Sequence, residues 1–451
     1  MFRISSLGQW MAAGLLLLWG EKAPLQAATF ADPKFTEQSI AAGLDPTAMD
    51  IAPDGRIFIC SKNGALRIVK NGQLLERPFV KLTVPTVSEQ GLLGVTFHPR
   101  FADSPYVYVY YTALVPEHNR ISRFLARSDT VEEDEQIIFD MDTITAKNLM
   151  GGAIHFGRDG KLYVSSGNSA VAANSMSLGT TLGKILRLNL DGTIPSDNPF
   201  ASKATGNARA IWALGIRNTF TFAVDHVTGR IFGCEPGDVS EEVNELQRGS
   251  NYGYDQQEGY ALPRDPAQII GAFHPAIYSY NGGCVIAAAF YPPPGVSIPG
   301  FPVTNARNFP PEYHRKFFFA DHNNGWIKAL DIDNPKSVSD FASGTLNPVD
   351  IKFAPDGSMY YLSRGKLGGS LMKVVYDGGA LALSPSARPG TGLSLSAPPS
   401  GAWKMTIING SIPDLLPGDR RLEIRDLHGS PRAPSATAST LPDGIYFIRS
   451  R

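Results

Sequence analysis

The chain has 451 residues, of which 43% are hydrophobic and 18% are charged, and its net charge is −1. This length supplies a large hydrophobic core, and the near-neutral charge excludes a protein that binds nucleic acid through a basic surface. Three cysteines, Cys60, Cys234 and Cys284, are too few and too scattered for a disulfide scaffold or a zinc site. One disulfide is compatible with an oxidising compartment, and the sequence leaves the pair open.

The first 28 residues have the features of a secretory signal peptide. Arg3 precedes an apolar run from Trp10 to Trp19, and small residues follow near Ala28. We therefore expect cleavage after Ala27 or Ala28 and a secreted, periplasmic or cell-surface location. A membrane anchor is the alternative, but the run is shorter than the about 20 residues that a spanning helix needs. No later stretch is apolar enough to predict a membrane span.

One local pattern recurs along residues 29–377: an apolar alternating strand, a tight turn, and a second strand rich in Tyr, Phe and Val. The clear copies are residues 49–61, 95–112, 154–167, 222–235 and 351–363, and a less regular copy lies between Ala287 and Asp333. Asp-Gly turns between alternating strands are typical of β-hairpins, because glycine supplies the positive φ that the turn requires. Hairpins repeated in this way predict an all-β chain folded as a six-bladed β-propeller, with a β-sandwich as the main alternative.

The last part of the chain differs in composition. Residues 378–402 are rich in Gly, Ser, Pro and Ala, which is typical of a linker. Residues 403–451 contain short alternating segments that predict a small C-terminal β-sandwich. Within it, residues 422–429 and 444–449 resemble the C-terminal sorting modules of some exported bacterial proteins. An adhesion or spacer module is the alternative.

Residues 211–254 contain the most polar loops between apolar strands. The candidate ligand-binding side chains of this region are Arg217, Asn218, Glu235, Asp238, Glu241, Glu242 and Tyr252. Carboxylate, carbonyl and phenol oxygens are hard donors that suit Ca²⁺. The guanidinium of an arginine matches the carboxylate of a planar anionic ligand. This region therefore predicts a calcium site beside a site for an anionic ligand.

From about Gly43 to Tyr376 the chain resembles the glucose/sorbosone dehydrogenase family. The segments that carry the resemblance are residues 89–101, 151–168, 182–200, 210–222, 241–254, 316–331 and 347–365. It implies a six-bladed quinoprotein that binds pyrroloquinoline quinone (PQQ) and Ca²⁺. Such an enzyme oxidises a sugar or related alcohol and reduces an external electron acceptor, and a histidine removes the proton of the substrate hydroxyl.

The resemblance also implies roles for individual residues. The implied calcium ligands are Glu242, Tyr252 and the carbonyls of Pro236 and Gly237, with Glu241 sharing the charge. The implied cofactor contacts are Arg217, Asn218, Gln90 and Arg364, and Arg217 also counts among the catalytic residues. These assignments require Glu242, Tyr252, Arg217 and Asn218 to share one central cavity.

The sequence departs from the family at the catalytic base. The family carries its histidine two residues before a glycine pair, and here Leu149 stands two residues before Gly151 and Gly152. Leu149 cannot accept a proton. His155 lies in the following strand, around 20 Å away if that segment is extended, and we interpret it as a packed or rim histidine. Two alternatives to the dehydrogenase follow: a catalytically silent propeller that binds a carbohydrate or a protein partner, and a calcium-dependent lactonase-type hydrolase.

Overall fold

The structure is a computed structural model that describes residues 27–293, 296, 309–365 and 368–377, together with the backbone of four strands between 404 and 450. The chain divides into two compact units, residues 1–381 and 382–451. Residues 1–26 of the predicted signal peptide and the predicted linker at 378–402 lie outside the described residues.

Short strands dominate the first unit. Strands β1 to β7 span Thr29–Phe30, Phe35–Leu44, Pro46–Ile51, Ile57–Ser61, Ala65–Lys70, Gln73–Leu74 and Val80–Lys81. Strands β8 to β15 span Leu92–Phe97, Tyr106–Ala113, His118–Leu125, Gln136–Thr143, Gly151–Phe156, Leu162–Ser166, Lys184–Leu188 and Ile211–Leu214. Strands β16 to β21 span Thr221–Val224, Ile231–Glu235, Ser240–Leu246, Ser250–Asn251, Ala272–Phe273 and Tyr278–Asn281. Strands β22 to β28 span Val285–Phe290, Phe317–Asp321, Trp326–Leu330, Val338–Ser343, Pro348–Phe353, Met359–Gly365 and Gly368–Tyr376.

Helices are few and short in the described residues. One α-helix, α1, spans Ala172–Met176, and three 3₁₀ turns span Gly206–Ala210, Pro266–Gln268 and Pro311–Tyr313. None of the described helices has both the length and the apolar character that crossing a membrane requires.

The strands form an all-β propeller, as predicted. The sheets of the first unit have the orders β3-β4-β5-β6 with β7 also on β5, β11-β10-β9-β8, β12-β13-β14-β15-β19-β20, β16-β17-β18-β21, β1-β25-β24-β23-β22 and β2-β28-β27-β26. One strand of each sheet faces the axis: β3, β8, β12, β16, β22 and β26 each contact the next, and β26 contacts β3. The ring is closed through β2, which lies near the beginning of the first unit and pairs with β28, the last strand of that unit.

The predicted Asp-Gly turns join the first two strands of several sheets. Gly55, Gly160 and Gly357 have φ values of 88°, 70° and 82°, which other residues rarely adopt. The aspartate before each glycine accepts a hydrogen bond from the backbone N–H two residues further on, for example Asp54 from Arg56 at 3.1 Å. The hairpin repeat in the sequence thus has a local cause in the turn.

The ring leaves little room between neighbouring inner strands. A Cβ atom on Gly94 of β8 would lie 2.0 Å from the carbonyl oxygen of Gly152 in β12, so these strands approach backbone to backbone. Further out, the gaps between sheets are filled by aromatic side chains, such as Tyr108 against Phe156 with ring centroids 5.2 Å apart. Cys60, Cys234 and Cys284 are all free thiols, so the disulfide that the sequence left open is not formed.

In the second unit, strands β29 to β32 span Lys404–Ile408, Leu422–Asp426, Pro431–Arg432 and Gly444–Ser450. They form one antiparallel sheet in the order β29-β32-β30-β31. The C-terminal β-sandwich stays a prediction, because a second sheet is not among the strands that the structure describes here.

Candidate functional site

The loops that precede three inner strands are tied together at one end of the ring. Glu89 precedes β8, Leu149 precedes β12 and Asn218 precedes β16. The Leu149 N–H donates to Glu89 Oε2 at 2.8 Å, and the Gly151 N–H donates to Asn218 Oδ1 at 2.8 Å. Three sheets therefore place their polar loop residues at a common position near the axis.

The turn at Leu149 has an unusual backbone. Leu149 has a φ of 57° and its side chain is buried, although a branched bulky residue is disfavoured in the left-handed region. Gly151 follows with a φ of 71°, and a Cβ there would lie 2.5 Å from the Ser165 carbonyl oxygen. The turn that precedes β12 is thus built around a leucine, at a cost in backbone strain.

Glu89 is the functional candidate that sequence reasoning missed. Its Oε2 accepts hydrogen bonds from the N–H groups of Leu149, at 2.8 Å, and Met150, at 3.4 Å. Burial raises the pKa of this carboxyl above its ordinary value, while those N–H groups, the charge of Arg217 and the amide of Asn218 act in the opposite direction. A half-buried carboxylate with a raised pKa near Arg217 and Asn218 is a candidate proton acceptor. The sequence feature that could have identified Glu89 is its position directly before Gln90, in the segment that resembles the family.

Arg217 is held by the loop that follows β17. Its Nη1 donates to the Pro236 carbonyl oxygen at 2.9 Å, and its Nη2 forms an ion pair with Asp238. The guanidinium carbon lies 5.9 Å from the centre of the Tyr254 ring. The Nε–H of Arg217 is buried without a hydrogen-bond partner, so one donor of a positioned guanidinium remains for an acceptor group.

Gln90 and Arg364 have partners of their own. Gln90 is fully buried, and its Nε2 donates to Glu117 Oε2 at 2.9 Å while its Oε1 has no partner. Arg364 forms an ion pair with Asp45 at 2.8 Å and keeps 32% of its side chain exposed. These contacts tie Gln90 to the loop after β9 and Arg364 to the loop between β2 and β3, and whether either residue contacts a cofactor stays a prediction.

Glu242 lies opposite Glu235 in the β17–β18 pair. Its carboxylate accepts hydrogen bonds from the Gly259 N–H and from Asn244 Nδ2, the latter at 2.9 Å. Burial, and for Glu242 the neighbouring negative charge of Glu235, raise the pKa of both carboxyls. The Oδ1 of Asn244 is buried and unpartnered. Two buried carboxylates and a spare amide oxygen form a donor set suited to a hard cation.

The oxygen atoms of the other predicted calcium ligands form hydrogen bonds with protein groups. The Tyr252 hydroxyl donates to the Glu245 carbonyl at 2.6 Å and accepts from the Gln247 N–H at 2.8 Å, so it closes the loop between β18 and β19. The Pro236 carbonyl accepts from Arg217, and Glu241 points the other way from Glu242 and accepts from the Val285 N–H at 2.9 Å. In the described part of the chain, no cluster of three or more His, Cys, Asp or Glu side chains is arranged to hold a metal.

The cavity that Glu242, Tyr252, Arg217 and Asn218 are predicted to share stays a prediction. Tyr252 is buried in a hydrophobic cluster with Trp212 and Phe222. Neither of the two cavities on the axis, of about 160 and 10 Å³, is lined by Glu242, Tyr252, Arg217 or Asn218.

Comparisons with known proteins point to one family. The family described as Glucose / Sorbosone dehydrogenase matches residues 44–373. An aldose sugar dehydrogenase of Escherichia coli is 26% identical over 352 residues, covering 73% of this chain and 89% of the relative. Quinoprotein glucose dehydrogenase B of Acinetobacter calcoaceticus is 28% identical over 278 residues, covering 52% and 56% of the two chains. The crystal structure of an oxidoreductase of Thermus thermophilus, described as a glucose dehydrogenase, has a TM-score of 0.64 at 26% identity and covers 76% of this chain and all of its own.

Proposed function

Because this chain belongs to the glucose/sorbosone dehydrogenase family, we propose that it is an exported oxidoreductase that depends on PQQ and calcium. It oxidises a sugar or related alcohol and passes the electrons to an external acceptor. We assign six blades to its propeller, one for each sheet of the first unit. The relatives named as an aldose sugar dehydrogenase and a quinoprotein glucose dehydrogenase support the reaction class, and the N-terminal sequence supports export.

The observation that carries this proposal is the strained turn at Leu149, held by Glu89 and set beside Asn218 and Arg217. A strained backbone that is retained at the mouth of a fold is typical of a functional site. The residues fit an anionic planar cofactor, because Arg217 is positioned by Pro236 and Asp238 and keeps an unpartnered buried N–H.

Arg217 and Asn218 would therefore hold PQQ, with Gln90 and Arg364 as further predicted contacts. When bound, PQQ supplies the acceptor for the two electrons that leave the alcohol carbon. Glu242, with Glu235 and the Gly237 carbonyl nearby in the same loop, would hold Ca²⁺, whose charge would offset the repulsion between the two buried carboxylates. For Pro236 and Tyr252 to bind Ca²⁺ as predicted, the Pro236 carbonyl would have to give up its hydrogen bond from Arg217, and the Tyr252 hydroxyl its hydrogen bond to the Glu245 carbonyl.

We assign the proton transfer to Glu89. Leu149 has no group that can take a proton, whereas the Glu89 carboxylate is bound to the backbone N–H of that same residue. The substrate hydroxyl would give its proton to Glu89, which becomes a neutral carboxylic acid. Burial favours this neutral form, because it raises the pKa toward the range in which a general base is effective at neutral pH.

Reconstitution of the purified protein with PQQ and Ca²⁺ tests the function. We expect the cofactor to bind and its absorption spectrum to change to that of the reduced form when an aldose is added. Binding without reduction would favour a silent site, and no binding would favour a propeller that recognises a carbohydrate or protein partner. If the protein hydrolyses a lactone with Ca²⁺ and without PQQ, the proposed function would be that of a hydrolase and not of a dehydrogenase.

A further inference from the structure

One cavity of the described residues lies on the propeller axis, at the end opposite to Arg217. It has a volume of about 160 Å³ and is lined by the last residues of all the inner strands and by the loops that follow them. Asp50 comes from β3, Thr96 from β8, His155 from β12 and Lys352 from β26, and His226 follows β16. Arg217 precedes β16, and only about 10 Å³ of space remains in the middle of the channel between the two ends. This axial cavity is therefore separate from the site proposed above.

Several polar groups of the axial cavity have unused hydrogen-bonding capacity. The Nδ1 of His226 is buried and has no partner. The His155 ring makes an edge-to-face contact with Phe222, at a centroid distance of 5.1 Å. Asp50 accepts from the Ile51 N–H at 2.9 Å and faces the Thr96 hydroxyl, whereas a carboxylate can accept about four hydrogen bonds. Buried polar groups of this kind normally have partners, so their grouping around a cavity indicates a ligand or ordered water.

The charges around the cavity disfavour a charged ligand. Lys352 is the positively charged residue that lines the cavity. Its ammonium forms an ion pair with the Asp350 carboxylate at 2.6 Å, so it attracts an anionic ligand only weakly. The Asp225 carboxylate is satisfied by the Val227 N–H and the Thr228 hydroxyl. Burial lowers the pKa of both His155 and His226, so the two imidazoles are neutral at pH 7 and each has one donor and one acceptor. A cation would meet the ammonium of Lys352 and too few anionic ligands.

The remaining walls are aromatic or aliphatic. Phe222, Phe290 and Phe353 face the cavity, together with Pro53 and Pro99. A cavity of about 160 Å³ is smaller than the 300–1,000 Å³ typical of drug-sized ligands, so its ligand has only a few heavy atoms or one small ring. Apolar ring faces combined with donors and acceptors in one site suit a molecule that carries hydroxyl groups around a compact carbon frame.

We propose that the axial cavity is a second binding site, for a small uncharged polyol or monosaccharide, held by Asp50, His155, His226 and Lys352. The hydroxyl groups of the ligand donate to the Asp50 carboxylate and exchange hydrogen bonds with the two imidazoles. Its carbon frame lies against the phenylalanine rings. The site does not depend on PQQ, on Ca²⁺ or on the dehydrogenase reaction, so it can be tested on the protein without cofactor.

Calorimetric titration with myo-inositol, and with D-glucose as a second probe, tests this site. We expect binding to the wild-type protein that weakens about three- to tenfold in His155→Leu, which loses one neutral hydrogen-bonding group, and about ten- to a hundredfold in Asp50→Asn, which keeps the shape but loses the charge. Asp103→Asn, an exposed aspartate elsewhere, and Arg217→Met, at the other end of the axis, should bind as the wild type does. Crystals soaked in myo-inositol should contain the ligand between Asp50 and His155.

Three results would overturn the proposal. The first is the absence of heat with both polyols. The second is binding that Arg217→Met abolishes while Asp50→Asn leaves it unchanged, because the ligand would then occupy the opposite end of the axis. The third is saturable binding of phosphate or Mg²⁺ that Asp50→Asn or Lys352→Met alters, because the site would then be one for an ion. If His155→Leu fails to fold, Asp50→Asn and the soaked crystals still decide the question.

Discussion

Replacing Glu89 by glutamine separates its structural role from its chemical one. Glu89 accepts one good hydrogen bond from the Leu149 N–H, at 2.8 Å, and a weaker one from the Met150 N–H, at 3.4 Å. The amide oxygen of glutamine can accept both, so Glu89→Gln should change the free energy of unfolding by less than about 1 kcal/mol. Glu89→Ala removes the acceptor from two N–H groups in a strained turn and should cost about 1–3 kcal/mol. Urea unfolding of the two variants measures this difference.

The same substitution removes the proposed proton acceptor. A general base contributes about 10²- to 10⁴-fold to the rate, so kcat of Glu89→Gln with PQQ and Ca²⁺ present should fall by a factor in that range. In the wild type the rate should rise with pH through the pKa of Glu89, which lies above its ordinary value because the carboxyl is buried. That limb of the pH profile should be missing in Glu89→Gln, while PQQ still binds. A variant that folds, binds PQQ and turns over at the wild-type rate would refute the assignment of Glu89 as the base.

Two further substitutions test the site, and one tests a buried lysine of the propeller. Leu149→His should fold, because histidine tolerates a positive φ better than leucine does. Steady-state kinetics should show a higher kcat for this variant than for the wild type. An unchanged kcat would contradict a proton-transfer role for a histidine at this position. Lys184→Met should lower the free energy of unfolding by about 3 kcal/mol or more, because the ammonium donates to the carbonyls of Asn174, Ser175 and Leu182. Lys203→Met, at an exposed position, is the control. Glu242→Gln should abolish the rise in Tm that Ca²⁺ gives the wild type, whereas Glu241→Gln, on the other face of the strand, should keep it.

The propeller could be predicted from the sequence because its cause is local. Each Asp-Gly turn fixes a hairpin through a glycine with positive φ and an aspartate that binds the N–H two residues on, as at Asp54 and Gly55. These features lie within a few consecutive residues, so a local sequence pattern can specify them. The closure of the ring by β2 and β28 joins residues more than 300 positions apart, and no local pattern specifies it.

The candidate site was harder to predict, because neighbouring residues in irregular loops face different directions. Gln90 is turned inward to Glu117, and the adjacent Glu89 reaches the turn at Leu149 instead. A sequence motif identifies both positions but does not indicate the direction in which either side chain points. The Tyr252 hydroxyl illustrates the same limit, because a phenol oxygen suits a metal ion as well as it suits the Glu245 carbonyl that it contacts. The opposite directions of Glu241 and Glu242, in contrast, follow from strand alternation and could have been deduced.

The backbone at Leu149 argues that this turn is kept for more than packing. A left-handed conformation costs a non-glycine residue roughly 1–2 kcal/mol, and a turn under selection for stability alone would favour glycine or asparagine there. The chain instead uses the carboxylate of Glu89 to hold the N–H groups of Leu149 and Met150 in that conformation. It does so at the place where Asn218 and Gly151 join two other sheets. Leu149 cannot exchange a proton, so this geometry does not help it to react. The Glu89 carboxylate is held in a fixed, half-buried position by the geometry, and burial raises its pKa. The strained turn and Glu89 therefore support the proposal that this carboxylate, and not residue 149, accepts the proton of the substrate.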